Sequence, residues 1–183
     1  MLARLVIAAL WFAWGVYWVV AGRDVKRTEW KESPVSRMLH LVPMLAGAVL
    51  MAVPAVLTTR FAPAGEILPL AGMPLVIGGL GLACWARRHL GRNWSAIVTV
   101  KIDHALIRTG PYRWVRHPIY SGLLLALAGT ALALGEWRGI VALALILVAF
   151  IRKLWVEEAR MRHTFPEYAL YRKETAALIP LVF

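Results

Sequence analysis

Residues 108–122 read RTGPYRWVRHPIYSG. The run sets Arg108, Tyr112, Arg113, Arg116, His117 and Tyr120 between two strongly apolar segments, and the steps Gly110-Pro111 and His117-Pro118 break it twice. Ionisable groups beside hydrocarbon are costly and are tied to function by default. Polar chemistry is therefore held at a membrane surface.

The flanks support that reading. Of the 183 residues, 60% are hydrophobic and 17% charged, with a mean hydropathy of +0.64; a soluble domain has about 45–50% apolar and about 25% charged residues. The net charge of +11 lies between apolar spans. Membrane lipids with anionic headgroups, and no nucleic acid, are the expected partner. Cys84 is the only cysteine, so an intrachain disulfide is excluded.

The expected fold is all-α: a polytopic membrane helix bundle of about five transmembrane helices with a cytoplasmic C-terminal helical tail. A span needs about 20 apolar residues, and the segments are roughly Leu2 to Ala21, Met38 to Leu57, Leu68 to Trp85, Ile119 to Leu134 and Ile140 to Trp155. The first reads as a retained helix, not a signal peptide, since only Arg4 precedes a long apolar core. The last two are short and joined by Gly135-Glu136-Trp137-Arg138-Gly139, so a helical hairpin that stops short of crossing is expected. Residues 1–183 form a single membrane domain, with three N-terminal spans in 1–87 and the cofactor-binding loop, hairpin and tail in 88–183. Of the 21 Lys and Arg, 18 fall in the loops after the first and third spans and in the tail, leaving Arg4, Arg60 and Arg138 opposite. The positive-inside rule then puts the N-terminus outside and the active site and C-terminus in the cytoplasm. Most tryptophans, Trp11, Trp14 and Trp18 among them, read as interfacial anchors or lipid-facing packing, and Gly72, Gly78, Gly79 and Gly81 as a close helix contact.

Two stretches carry chemistry. In the first, residues 97–104 read as an extended or irregular loop, Thr109-Gly110-Pro111-Tyr112 as a turn, and Pro118 as the first residue of a helix, where its missing N–H costs nothing. Arg116 and His117 stand at that helix's N-terminus, where an anionic ligand group is expected. In the second, Glu157 and Glu158 are adjacent in a helix, and positions about 100° apart place one toward a pocket and the other toward solvent. The plainer alternative is i,i+4 pairing of Lys153 with Glu157 and of Glu158 with Arg162. The five histidines have no metal-ligand spacing, so no metal is expected, and no P-loop, G-x-S-x-G or HExxH occurs.

The stretch His104 to Tyr112, the run Arg116-His117-Pro118-Ile119-Tyr120-Ser121-Gly122, the pair Glu157-Glu158 and the tail Phe165…Tyr168…Tyr171…Pro180 resemble the isoprenylcysteine carboxyl methyltransferase and phospholipid methyltransferase superfamily. The resemblance covers Leu90 to Pro180. It implies an S-adenosylmethionine-dependent integral membrane methyltransferase, with His104, Leu106, Gly110, Tyr112, His117, Pro118, Tyr120, Glu157 and Glu158 around the cofactor. Arg116 and Glu157 are the implied catalytic residues. Met161 stands where many members have Leu, and Pro166 where Gly is common.

Methyl transfer is an in-line displacement, so the protein's main task is alignment, which can supply roughly 7–11 kcal/mol. The acceptor is expected to be lipophilic. An isoprenylcysteine-like carboxylate needs no base and could be oriented by Arg116; a phospholipid amine must lose a proton, to Glu157, Glu158 or His117. Two other classes stay open at this point: an NADPH-dependent membrane reductase resembling sterol reductases, and a non-enzymatic membrane protein whose arginines meet headgroups.

Overall fold

The computed structural model describes residues 2–23, 28–94, 99–101 and 106–180, without the side chains of residues 28–30 and 99–101. Its elements in chain order are α1 (Leu2–Ala21), β1 (Thr28–Lys31), α2 (Pro34–Ala52), α3 (Ile67–Leu90), β2 (Thr99–Lys101), α4 (Pro118–Leu134), α5 (Trp137–Thr164) and α6 (Tyr168–Glu174). Four helices, α1, α2, α3 and α5, are long and apolar enough to cross a membrane, and α4 is a shorter apolar helix of 17 residues. The chain is a multi-pass integral membrane protein.

The helix limits follow local chemistry. Ser33 caps α2 by accepting the Ser36 N–H at 3.2 Å, and Pro34 follows it at the first helical position. Pro118 opens α4, and Gly135 ends it in the left-handed conformation. The expectation that the last span stops short of crossing is corrected: α5 has 28 residues, about 42 Å at ~1.5 Å per residue, and is long and apolar enough to cross. Its apolar run continues through Ile151 and the charged continuation stays helical, since Arg, Lys, Glu and Ala are good helix formers.

Packing is pairwise and antiparallel. On α3, Gly72 faces Gly129 of α4, and Gly79 faces Gly122 and Ala126. A Cβ added at Gly79 would lie 2.4 Å from the Gly122 carbonyl oxygen, so the two backbones meet at a distance only glycine allows. Gly78 and Gly81 do not take part, having nothing within 4 Å. On the other side α2 lies along α5, with Gly47 against Ile146. Trp11 of α1 donates from Nε1 to Thr130 Oγ1 of α4 at 2.9 Å.

The two ends differ. At one, β1 pairs antiparallel with β2, Trp30 opposite Val100, which joins the loop after α1 to the loop after α3. The extended expectation for 97–104 agrees with β2 where the chain is described. Arg87, buried on α3, donates to the carbonyls of Ala21 and Gly91 and lies 4.5 Å from the Trp94 ring centre. His40 at this end is buried beside Glu32, 3.4 Å away, and not at an open interface. At the opposite end Arg60 and Arg138 share Glu136, and Arg138 also donates to the carbonyls of Leu50 and Met51.

Candidate active site

Between α1, α2, α4 and α5, at the end closed by the basic loops, lies a cavity of about 390 Å³. Small-molecule sites commonly run from ~300 to ~1,000 Å³. Its polar end carries Tyr112, Arg116, His117, Glu157, Tyr168 and Tyr171; its apolar end carries Trp14 and Trp18 of α1, Met44 of α2, and Leu123 and Phe150.

The polar end is assembled by a turn, a helix start and a tail. Gly110 adopts φ +58° and opens the 3-10 turn Gly110–Arg113, which buries Tyr112. Tyr171 donates its hydroxyl to the Tyr112 carbonyl at 2.6 Å. The tail then runs beside residues 114–117: Arg116 N–H donates to the Ala176 carbonyl at 2.9 Å, His117 N–H to Ala177 at 3.0 Å, and Ser121 Oγ to Leu178 at 2.6 Å. At this helix start the tail's carbonyls thus take the backbone N–H groups of Arg116 and His117.

Glu157 and Glu158 face different ways, as adjacent helix positions must, but the expectation that one of them meets solvent is corrected, since Glu158 is buried. Glu157 faces the cavity, receives the Tyr120 hydroxyl on Oε1 at 2.6 Å, and has Lys153 Nζ at 3.9 Å and His117 Nδ1 at 3.4 Å. Glu158 turns to the outer side and is buried with Arg116 Nε at 2.6 Å and Arg172 Nε at 3.1 Å. The expected Lys153 to Glu157 pair is present, whereas Glu158 takes Arg116 and Arg172 in place of Arg162. Arg116 also donates from Nη1 to the carbonyls of Arg172 and Thr175. Its guanidinium thus ties the tail to α5.

His117 lies between the two carboxylates, with Nε2 3.5 Å from Glu158 Oε1, and its ring stacks on Tyr120 at 5.4 Å. Burial alone would lower its pKa, but contacts with Glu157 and Glu158 more than reverse this, and the net shift is upward. Burial pushes the phenols of Tyr112 and Tyr168 up, and that of Tyr171 to about 12. All three stay neutral near pH 7.

Of the implied cofactor residues, Leu106, Tyr112, His117, Tyr120 and Glu157 line the cavity, as does Arg116. Gly110 and Pro118 shape the backbone, Glu158 stands behind Arg116, and His104 lies outside the described residues. The sequence reading missed Trp14 and Trp18, which are cavity wall and not lipid-facing anchors; their i,i+4 spacing on one face was the available signal. It also took Lys153 only as a surface partner, although it lies one turn before Glu157 on the same face. Asn93, beside Trp94, lines the cavity too; it opens the first of the two polar stretches in the sequence but was not among the implied site residues.

A family model described as phospholipid methyltransferase matches residues 67–168, from the start of α3 to the first residue of α6. The chain belongs to the phospholipid methyltransferase family. Within that family's matched region lie the glycine contact of α3 with α4, the Arg116–Tyr120 run and both glutamates. Curated relatives include a protein-S-isoprenylcysteine O-methyltransferase of Schizosaccharomyces pombe, 35% identical over 96 residues, which are 50% of this chain and 41% of that protein. One of the same name from Saccharomyces cerevisiae is 32% identical over 65% of this chain and 52% of its own length. The cobalt-zinc-cadmium resistance protein CzcN of Cupriavidus metallidurans is 32% identical over 58% and 49%. The chain therefore spans about half the length of the curated relatives it matches. A solved structure of the eukaryotic intramembrane Ras methyltransferase ICMT superposes with a TM-score of 0.53 at 22% identity, over 84% of this chain and 55% of that one, which shows a shared fold.

Proposed function

We propose that the chain is an S-adenosylmethionine-dependent methyltransferase acting on a lipophilic acceptor, with its site at the cytoplasmic face and its N-terminus outside. The observation that carries this reading is one cavity with two chemically unlike ends, a charged one beside the basic loops and an apolar one between α1, α2 and α5.

The residues fit the cofactor. S-adenosylmethionine, when bound, supplies a methyl group on a positively charged sulfur. Glu157 is the one carboxylate lining the cavity among the described residues, and it can meet a cation. Asn93 Oδ1 is buried without a hydrogen-bond partner beside Trp94, which suits a hydroxyl or amino donor on the ligand. The faces of Tyr112, Tyr168 and Tyr171 suit a purine ring. In this reading Leu106, Tyr112, His117, Tyr120 and Glu157 hold the cofactor, His104 completes the set, and Gly110 and Pro118 fix its backbone. Glu158 acts through Arg116, whose contacts hold the tail that shuts water out.

The same geometry favours a carboxylate acceptor over an amine. His117 has both ring nitrogens turned to Glu157 and Glu158, whose contacts raise its pKa, and Glu157 already accepts the Tyr120 hydroxyl and neighbours Lys153. An acceptor that must first lose a proton finds no ready base here. Lys153, at the junction of the two ends, supplies a positive charge for a carboxylate.

The decisive experiment measures melting of the detergent-purified protein with S-adenosylhomocysteine, S-adenosylmethionine or NADPH. Both adenosyl ligands should raise the melting temperature, and Glu157→Gln should abolish the shift. Methyl transfer to N-acetyl-S-farnesylcysteine but not to phosphatidylethanolamine would complete the reading. A shift with NADPH alone would sink it.

A further inference from the structure

A second concavity, of about 880 Å³, lies on the outer side of the Arg116–Glu158 pair. Arg116 borders both it and the cavity. Its wall is cationic, with Arg113, Arg162, Arg172 and Lys173. The carboxylates within it are engaged already, Glu158 by Arg116 and Arg172, and Glu174 by Arg108. Arg113, Arg162 and Lys173 pair with no carboxylate among the described residues. An excess of positive charge is thus left facing an open groove.

The groove also has an apolar side. Trp114 and Trp155 are exposed at 48% and 61%, buried Leu154 lies at its base, and the Arg113 guanidinium sits 4.7 Å from the Trp114 ring centre. Position along α5 explains why both chemistries occur together. The apolar run ends at Ile151, so Trp155 stands one turn past the hydrocarbon boundary. Arg162 is seven residues further on, about 10 Å along the axis, whereas a headgroup layer is roughly 5–7 Å deep on each side. The groove therefore starts in the headgroup layer at Trp155 and runs out of it toward water at Arg162, aromatic at its membrane end and cationic at its outer end. A soluble anion would have no use for the tryptophan side.

We propose that this groove binds the headgroup of an anionic phospholipid drawn from the surrounding bilayer, its phosphate meeting Arg162 and Lys173 and its glycerol region lying along Trp155. The site stands independently of methyl transfer. It does have a consequence for the cavity, because Arg172 borders the groove while holding Glu158, and Glu158 holds Arg116.

The test is native mass spectrometry of the full chain released from nanodiscs of phosphatidylcholine with graded phosphatidylglycerol. Wild type should retain one phosphatidylglycerol in preference to phosphatidylcholine. Arg162→Ala with Lys173→Ala should weaken that retention by about tenfold or more, while its melting temperature in pure phosphatidylcholine stays at the wild-type value, since both side chains are exposed. Arg23→Ala with Arg37→Ala removes equal charge outside the groove and should retain the lipid. Equal losses in both double variants would reduce the effect to general surface charge and overturn the proposal. So would wild type showing no preference for phosphatidylglycerol, or its full displacement by millimolar inorganic phosphate, which would make the groove a soluble-anion site.

Discussion

At the scale of single residues, the two adjacent glutamates organise the site by facing different ways. Glu157 presents its charge to the cavity, and Glu158 is consumed by Arg116 and Arg172. His117 links them, and its shift makes a pH prediction with a definite sign. Its folded-state pKa lies above the ordinary value of 6.5, so protonation favours folding. The stabilisation is fully present below about pH 6.5 and is lost as pH rises through the folded-state value. The melting temperature of wild type should therefore fall across that window, and His117→Gln should flatten the fall. A profile identical in both proteins would mean that the Glu157 and Glu158 contacts do not hold the proton. The sequence marked His117 and both glutamates as neighbours of a site. It could not show that Arg116 faces the tail, because that depends on where the chain after α6 returns.

At the scale of elements, the glycines of α3 show what a sequence pattern does and does not carry. Four glycines, Gly72, Gly78, Gly79 and Gly81, are candidates for a close contact by composition alone. Only the pair seven residues apart meets α4, where Gly122 and Gly129 repeat the same spacing. An antiparallel seam forms because a seven-residue interval returns to nearly the same helix face. Gly79→Val should lower the melting temperature sharply, as its side chain would run into the Gly122 carbonyl and the Ala126 backbone. Gly78→Ala meets nothing within 4 Å and should leave stability equal or raise it by roughly 0.5–1 kcal/mol, the usual helix gain of Ala over Gly. Thermal unfolding of the two variants side by side checks the register. Similar losses in both would mean that α3 is turned differently. The apolar run of α5 ends before Arg152, but helical propensity does not, and the sequence reading followed the helix past Glu157 and Glu158 while taking the span itself as too short to cross.

At the scale of the whole molecule, the polarity of the two ends decides how the bundle sits in its membrane. One end gathers the β1–β2 ribbon, the site and the cationic groove; the other holds Arg60 and Arg138 in a compact cluster on the one carboxylate of Glu136. The charge count along the sequence already separated these ends, and it did so without any knowledge of packing. It could not foresee that α1 and α2, which the motifs do not reach, supply Trp14, Trp18 and Met44 to the cavity, since that requires α1 to lie against α3 and α2 against α5. The excess of Lys and Arg at the ribbon end predicts that this end is cytoplasmic. Single cysteines replacing exposed Arg162 and exposed Gly65, the latter in the segment between α2 and α3, would be placed in a Cys84→Ala background and labelled with a membrane-impermeant maleimide on intact cells. The cysteine at 65 should label from outside, and that at 162 only after the cells are opened. The reverse pattern would put the charged end of the cavity outside, away from cytosolic S-adenosylmethionine, and would remove the methyltransferase reading together with the orientation.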